Sequence, residues 1–141
     1  MGKVNPDRLR EVASEIRKAK KEIEGIASLS LEQFLADSKA INSVKYLLIV
    51  VTEGAIDICN HIAAKEGGRC PEDYADCFSV LREEGVIREE LAAKLAQMAK
   101  FRNLLVHLYW KVDDSRVYRI ARESLDDVDE FLKAVFHHFF G

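Results

Sequence analysis

Tyr46-Leu47-Leu48-Ile49-Val50-Val51 is the stretch on which the fold turns. Taken alone, six aromatic, branched and aliphatic residues in a row fit a buried β-strand. The flanks decide otherwise. Ala40, Ile41 and Val44 precede it, and Ala55, Ile56, Cys59, Ile62 and Ala63 follow. Together they keep the apolar period near 3.6, so the spacing predicts one long helix over 38–66, stopped by Gly67-Gly68. A helix that is apolar all round in its middle belongs at the centre of a bundle.

Outward from that helix the rest reads as helix too. Asn5-Pro6 is an N-cap followed by proline at the first helical position. Leu9, Val12, Ala13, Ile16, Ile23 and Ile26 then predict a helix over 6–27. Ser30 with Gln33 forms a capping-box pair for a short helix. Further helices are expected over 73–84, ending at Gly85, and from Arg88 through Leu108. Asp113-Asp114-Ser115 is a turn, and 115–139 is one helix or two with a break near Ser124. The fold class is all-α, a bundle of five or six helices in a single domain over 1–141.

The composition narrows the function. The 141 residues carry 21 Lys+Arg and 24 Asp+Glu, a net charge of −3. That argues against coating nucleic acid with a generally basic surface and leaves room only for a local basic site. Lys100, Arg102, Lys111, Arg116, Arg119 and Arg122 are the candidates. No apolar run is expected to span a membrane, and the N-terminus lacks the apolar core of a signal peptide. Cys59, Cys70 and Cys77 are odd in number, which disfavours a disulfide framework and makes the cytoplasm the expected compartment. They lack CxxC spacing, and His61 is the one nearby imidazole, so no metal site is expected.

Chemistry concentrates in Phe101-Arg102-Asn103-Leu104-Leu105-Val106-His107-Leu108-Tyr109-Trp110. On a helical wheel at about 100° per residue, Leu104, Leu108, Phe101 and Leu105 form the expected core face. Arg102, Asn103, His107 and Tyr109 point away from it, Tyr109 within about 20° of Arg102. Val106, Ala99 and Trp110 form an apolar strip among them that wants a cover. A second copy of the chain would supply it, which predicts a two-fold dimer. The dimer would also bring two Arg102 and two His107 into one cleft, although within a chain they diverge by about 140°.

Arg102-Asn103-Leu104-Leu105-Val106-His107-Leu108-Tyr109 resembles the R-N-x-x-x-H-x-Y signature of HepT-like proteins, in the HEPN superfamily of helical ribonucleases. Glu53-Gly54-Ala55-Ile56-Asp57-Ile58-Cys59-Asn60-His61-Ile62, Pro71 with Tyr74 and Phe78, Val112-Asp113 and Val117-Tyr118 extend the likeness over nearly the whole chain. The resemblance implies a metal-independent endoribonuclease needing no cofactor, the toxin of a type II/VII-like toxin–antitoxin pair, working as a homodimer or higher oligomer. It implies Arg102 and His107 as catalytic residues with Asn103 supporting them. It further implies a minimal nucleotidyltransferase antitoxin as partner, which adds AMP to Tyr109.

That chemistry is physically sound. RNA carries its own nucleophile, the 2′-hydroxyl. An imidazole can exchange a proton near neutrality, and a guanidinium can hold a phosphate as charge builds on it. An AMP on Tyr109 is expected to put an anion beside Arg102. Glu53, Asp57, Asn60 and His61 form a polar stripe on the central helix. Glu53 and Asp57 could support the site from behind or meet the antitoxin, but pairing with Arg or Lys at the solvent edge is the favoured reading. Tyr118 reads as an ordinary helix residue, and His137 and His138 belong to a docked C-terminal tail. A second functional class remains: a non-catalytic helical module binding a nucleotidyltransferase partner or a nucleotide. The presence of Arg102 and His107 favours the enzyme.

Overall fold

The computed structural model describes residues 4–66 and 69–141, so the expected stop at Gly67-Gly68 lies outside the described residues. Among the described residues seven α-helices follow one another: α1 (Pro6–Ala27), α2 (Leu31–Leu35), α3 (Ser38–Glu66), α4 (Tyr74–Glu83), α5 (Glu89–His107), α6 (Asp114–Glu123) and α7 (Leu125–Phe140). A single 3₁₀ turn, Tyr109–Lys111, joins α5 to the α6 approach. No strand occurs among the described residues. The count exceeds the expected five or six because Ser124 divides the last segment into α6 and α7.

The helix starts are locally encoded. The Asn5 side chain accepts the Asp7 and Arg8 N–H groups at 3.0 and 3.3 Å, with Pro6 opening α1. Ser30 and Gln33 complete both halves of the capping box of α2. Asp73 caps α4 by accepting the Asp76 N–H at 2.7 Å. Each satisfies a donor that a helix start would otherwise leave unpaired.

α3 is the central element and packs against α1, α4, α5 and α6. One continuous core runs from Leu9 to Val135. By length and composition α3 is long and apolar enough to cross a membrane, contrary to the sequence expectation. Yet 56% of its most apolar window is buried inside the protein, so the bundle already uses the surface that lipid would need. The α1–α3 crossing is close because Gly54 faces Ile16 with no side chain of its own; an added Cβ would lie 2.5 Å from Ile16 Cγ1.

α5 differs from its predicted facing. Leu91, Ala92, Leu95, Met98, Ala99, Phe101 and Leu105 are its buried residues. Leu104 and Leu108, expected in the core, are each 36% exposed, while Ala99, expected outside, is fully buried. The ten-residue wheel was too short: the two preceding turns fix the true core face, centred close to the direction of Arg102. The helix also ends at His107. Leu108 leaves helical geometry at φ −132° and ψ 42°, so the wheel does not extend to Tyr109 or Trp110.

The tail docks as expected. Phe136 and Phe139 pack on the core, and Arg17 and Arg10 lie over the Phe136 and Phe140 rings.

Candidate active site

The last turns of α5 and the start of α4 enclose an open groove of about 560 Å³. Asp73 and Tyr74 form one side, and Arg102, Asn103, Val106 and His107 the other. The helix N-cap at Asp73 therefore both starts α4 and shapes the groove. Arg102 and His107 line it together within one chain, so the 140° divergence on the wheel does not keep them apart.

Arg102 sits at the edge of the core rather than in solvent, its side chain 13% exposed. Nη2 and Nε donate to Glu53 Oε1 at 2.5 and 3.2 Å. Nη1 donates to Asn103 Oδ1 at 3.0 Å. The guanidinium also lies over the Tyr74 ring, 5.2 Å from its centre. Three contacts thus fix one guanidinium, and fixed donors facing a groove suit a phosphate. His107 is exposed at the C-terminal residue of α5.

The polar stripe of α3 separates by task. Glu53 reaches Arg102. Asp57 instead pairs with Arg8 of α1 at 2.8 Å. Asn60 Oδ1 accepts the Cys77 thiol at 3.2 Å. His61 Nε2 accepts the Asn5 backbone N–H at 3.0 Å, tying the start of α1 to α3. Burial and the Arg8 and Lys65 charges hold the His61 pKa below its ordinary value. Burial pushes the Cys59 thiol well above the usual range. All three cysteines are free, and no group of three or more His, Cys, Asp or Glu among the described residues is placed to hold a metal.

Tyr109 does not share a stripe with Arg102. Turned back by the 3₁₀ segment, its hydroxyl donates to Asn42 Oδ1 at 2.8 Å on α3. The Lys45 ammonium lies 4.3 Å from the ring centre and pairs with Asp114 at 3.0 Å. The cation beside Tyr109 is therefore Lys45, and the expected shared stripe with Arg102 is not formed. The expected basic patch is also dispersed. Arg102 is held by Glu53, and Arg116 lies over the Phe101 ring at 4.6 Å. Arg122 is turned to the Ala27 carbonyl and the Tyr118 hydroxyl. Tyr118 itself is buried and donates to the Leu29 carbonyl, a structural role.

The sequence reading assigned no role to Asp73, Asn42 or Lys45. The one available signal was Lys45, a charge set immediately before the most apolar run of the chain.

A helical scaffold carrying an Arg, an Asn and a His on one groove can bind a phosphodiester and move a proton beside it. The chain matches the ribonuclease HepT-like family over residues 16–135. It belongs to that family, and is by class an endoribonuclease. It is 29% identical over 103 residues to the mRNA nuclease HepT of Shewanella oneidensis, covering 73% of this chain and 77% of that protein. A putative RNase of Archaeoglobus fulgidus is 37% identical over 95 residues, covering 67% and 71%. The fold is that of the tri-AMPylated HEPN toxin of Shewanella oneidensis solved with its MNT antitoxin. That match has a TM-score of 0.88 at 26% identity, over 94% of this chain and 99% of that one.

Proposed function

We propose that this chain is a toxin that cuts RNA at the Arg102–His107 groove without a metal ion, and that a nucleotidyltransferase antitoxin silences it by adding AMP to Tyr109. The observation that carries the reading is the convergence of Arg102, Asn103 and His107 on one groove. The names of the relatives support an RNA substrate, and the AMPylated toxin–antitoxin neighbour supports the partner.

Arg102 binds the phosphate of the scissile bond, held in place by Asn103 and, before substrate arrives, by Glu53. The 2′-hydroxyl oxygen attacks the adjacent phosphorus, the bond to the 5′-oxygen breaks, and His107 transfers a proton. The products are a 2′,3′-cyclic phosphate and a 5′-hydroxyl. In silencing, the Tyr109 oxygen attacks the α-phosphorus of ATP, pyrophosphate leaves, and the phenolic proton is released. The bond to Asn42 must open first. The phosphodiester then lies near Lys45.

The chain works as a two-fold dimer in the cytoplasm. Trp110 is 76% exposed, and Leu104, Val106 and Leu108 are also open to solvent. Exposed large apolar side chains gathered at the end of one helix suit a protein interface. The three free cysteines fit a reducing compartment.

The test is cleavage of a mixed RNA pool in EDTA by wild type and His107→Ala, with end-group analysis. Wild type yields cyclic phosphate ends. His107→Ala loses cleavage while keeping its melting temperature, because His107 is exposed and surface changes cost within about 0.5 kcal/mol. Undiminished cutting by His107→Ala refutes the assignment.

A further inference from the structure

A second cavity, of about 400 Å³, opens between α3, α5, α6 and α7, away from the groove. Its floor is apolar: Leu48, Met98, Phe101 and Ile120. Thr52 lines it and is 4% exposed. Its hydroxyl can donate to, or accept from, a molecule that enters the cavity. Gln97 brings an amide to the same space, and the Arg116 guanidinium stacks 4.6 Å over Phe101 to form one wall. No salt bridge engages Arg116 among the described residues; on the rim Lys94 and Asp127 offset each other at 3.8 Å, and Glu123 adds a carboxylate to the lining.

Volume, chemistry and planes together describe a site for a flat heteroaromatic ring with donors and acceptors on its edge. Single-stranded RNA offers that ring: its unstacked bases settle on aromatic and guanidinium planes and are read at the edge by side chains. Thr52 and Gln97 can each donate and accept, which suits a base edge.

The location relative to the groove supports this. Around α5 the exposed residues run from His107 through Leu104 and Lys100 to Gln97 and Lys94. Gln97 precedes His107 by ten residues, about 15 Å along the helix. A strand leaving the groove along this face crosses Lys100, which can meet its phosphate, and arrives at the cavity mouth within a few nucleotides. Resting on the ribonuclease reading above, we propose that this cavity is a nucleobase subsite, holding one unstacked base of the substrate at a fixed distance from the bond that is cut.

The test uses the His107→Ala protein, so that RNA stays intact. Binding of a hexaribonucleotide and of a dinucleotide is measured, with the Met98 methyl and Thr52 resonances followed by NMR. The hexamer is expected to bind at least tenfold more tightly and to shift both resonances. Adding Thr52→Val removes one hydrogen bond to the base and weakens the hexamer about tenfold, so that the two lengths converge. Gln97→Leu, at an exposed position, makes the same test should Thr52→Val melt early. Unmoved Met98 and Thr52 signals, or equal hexamer binding by the well-folded variants, overturns the subsite. Wild-type protein on the RNA pool separates the two claims. Cutting with a silent cavity sinks the subsite alone, whereas an occupied cavity without any cutting sinks the ribonuclease reading and leaves a base-binding cavity with no bond to position.

Discussion

Replacing Gly54 by alanine sets two well-defined effects against each other. In an exposed helix interior the change stabilises by about 1 kcal/mol, since glycine is the poorer helix former. Here the new Cβ would sit 2.5 Å from Ile16 Cγ1, 2.9 Å from Cδ1 and 3.6 Å from Val12 Cγ1. Ile16 is 1% exposed and cannot swing aside, so α1 must shift on α3. Overpacking of a buried site costs about 1–3 kcal/mol, and a contact this short belongs in the upper half of that range. The net expectation is a loss of about 1–2 kcal/mol, or about 3–7 °C in Tm for a chain of this size. Urea and thermal unfolding read it directly, with an unchanged m-value. Ile16→Ala alone costs about 2–5 kcal/mol, but it removes the atoms that clash. The double variant should therefore be about 2 kcal/mol more stable than additivity allows. A Gly54→Ala protein at or above the wild-type Tm refutes the close-approach argument and leaves helix propensity in control.

Three further outcomes follow from the geometry. The folded-state pKa of His61 lies below its ordinary 6.5. The folded protein then binds fewer protons than the unfolded chain, so this contribution is complete above about pH 6.5 and declines as pH falls through the folded pKa. Melting temperature scanned across mildly acidic pH should show the decline in wild type and a flatter profile in His61→Gln; equal profiles dismiss the coupling. Tyr109→Phe should lose only the Asn42 bond, about 1 kcal/mol. Incubated with the proposed nucleotidyltransferase partner and ATP, it should show no added AMP by intact mass, and a mass shift would move the acceptor elsewhere. If the chain pairs through this face as proposed, Trp110→Glu should sediment as a monomer at low micromolar concentration where wild type sediments as a dimer; a dimeric variant would place the interface on another face.

The helices were legible because their signals are local. Asn5-Pro6, Ser30 with Gln33 and the 3.6 period through Tyr46–Val51 each act over a few residues, and each does in the folded chain what its spacing implied. The facing of α5 was not legible from ten residues. Which side turns inward is a property of the whole helix and its neighbours, and Leu91, Leu95 and Ala99 outweigh Leu104 and Leu108. The end of α5 at His107 carries no glycine or proline to announce it. The backbone instead leaves helical geometry at Leu108, where the 3₁₀ segment carries Tyr109 to Asn42 and Lys45. Those tertiary contacts lie 67 and 64 positions away in the sequence, beyond any local pattern.

The net charge of −3 looked awkward for an enzyme that grips a polyanion, and the groove suggests why it need not be. Arg102 at rest is neutralised by Glu53, so an empty groove presents little bare positive charge to draw RNA from a distance. The pair is half open to water on the Glu53 side, with 48% of that side chain exposed, which keeps its net strength modest. A phosphate arriving in the groove can exchange with one carboxylate oxygen while Asn103 and the Tyr74 ring keep the guanidinium aimed. Binding then depends on replacing one local anion by another, and affinity must come from elsewhere along the strand. A base held in the cavity about 15 Å away along α5 would supply it, tying cutting to substrates long enough to reach both places.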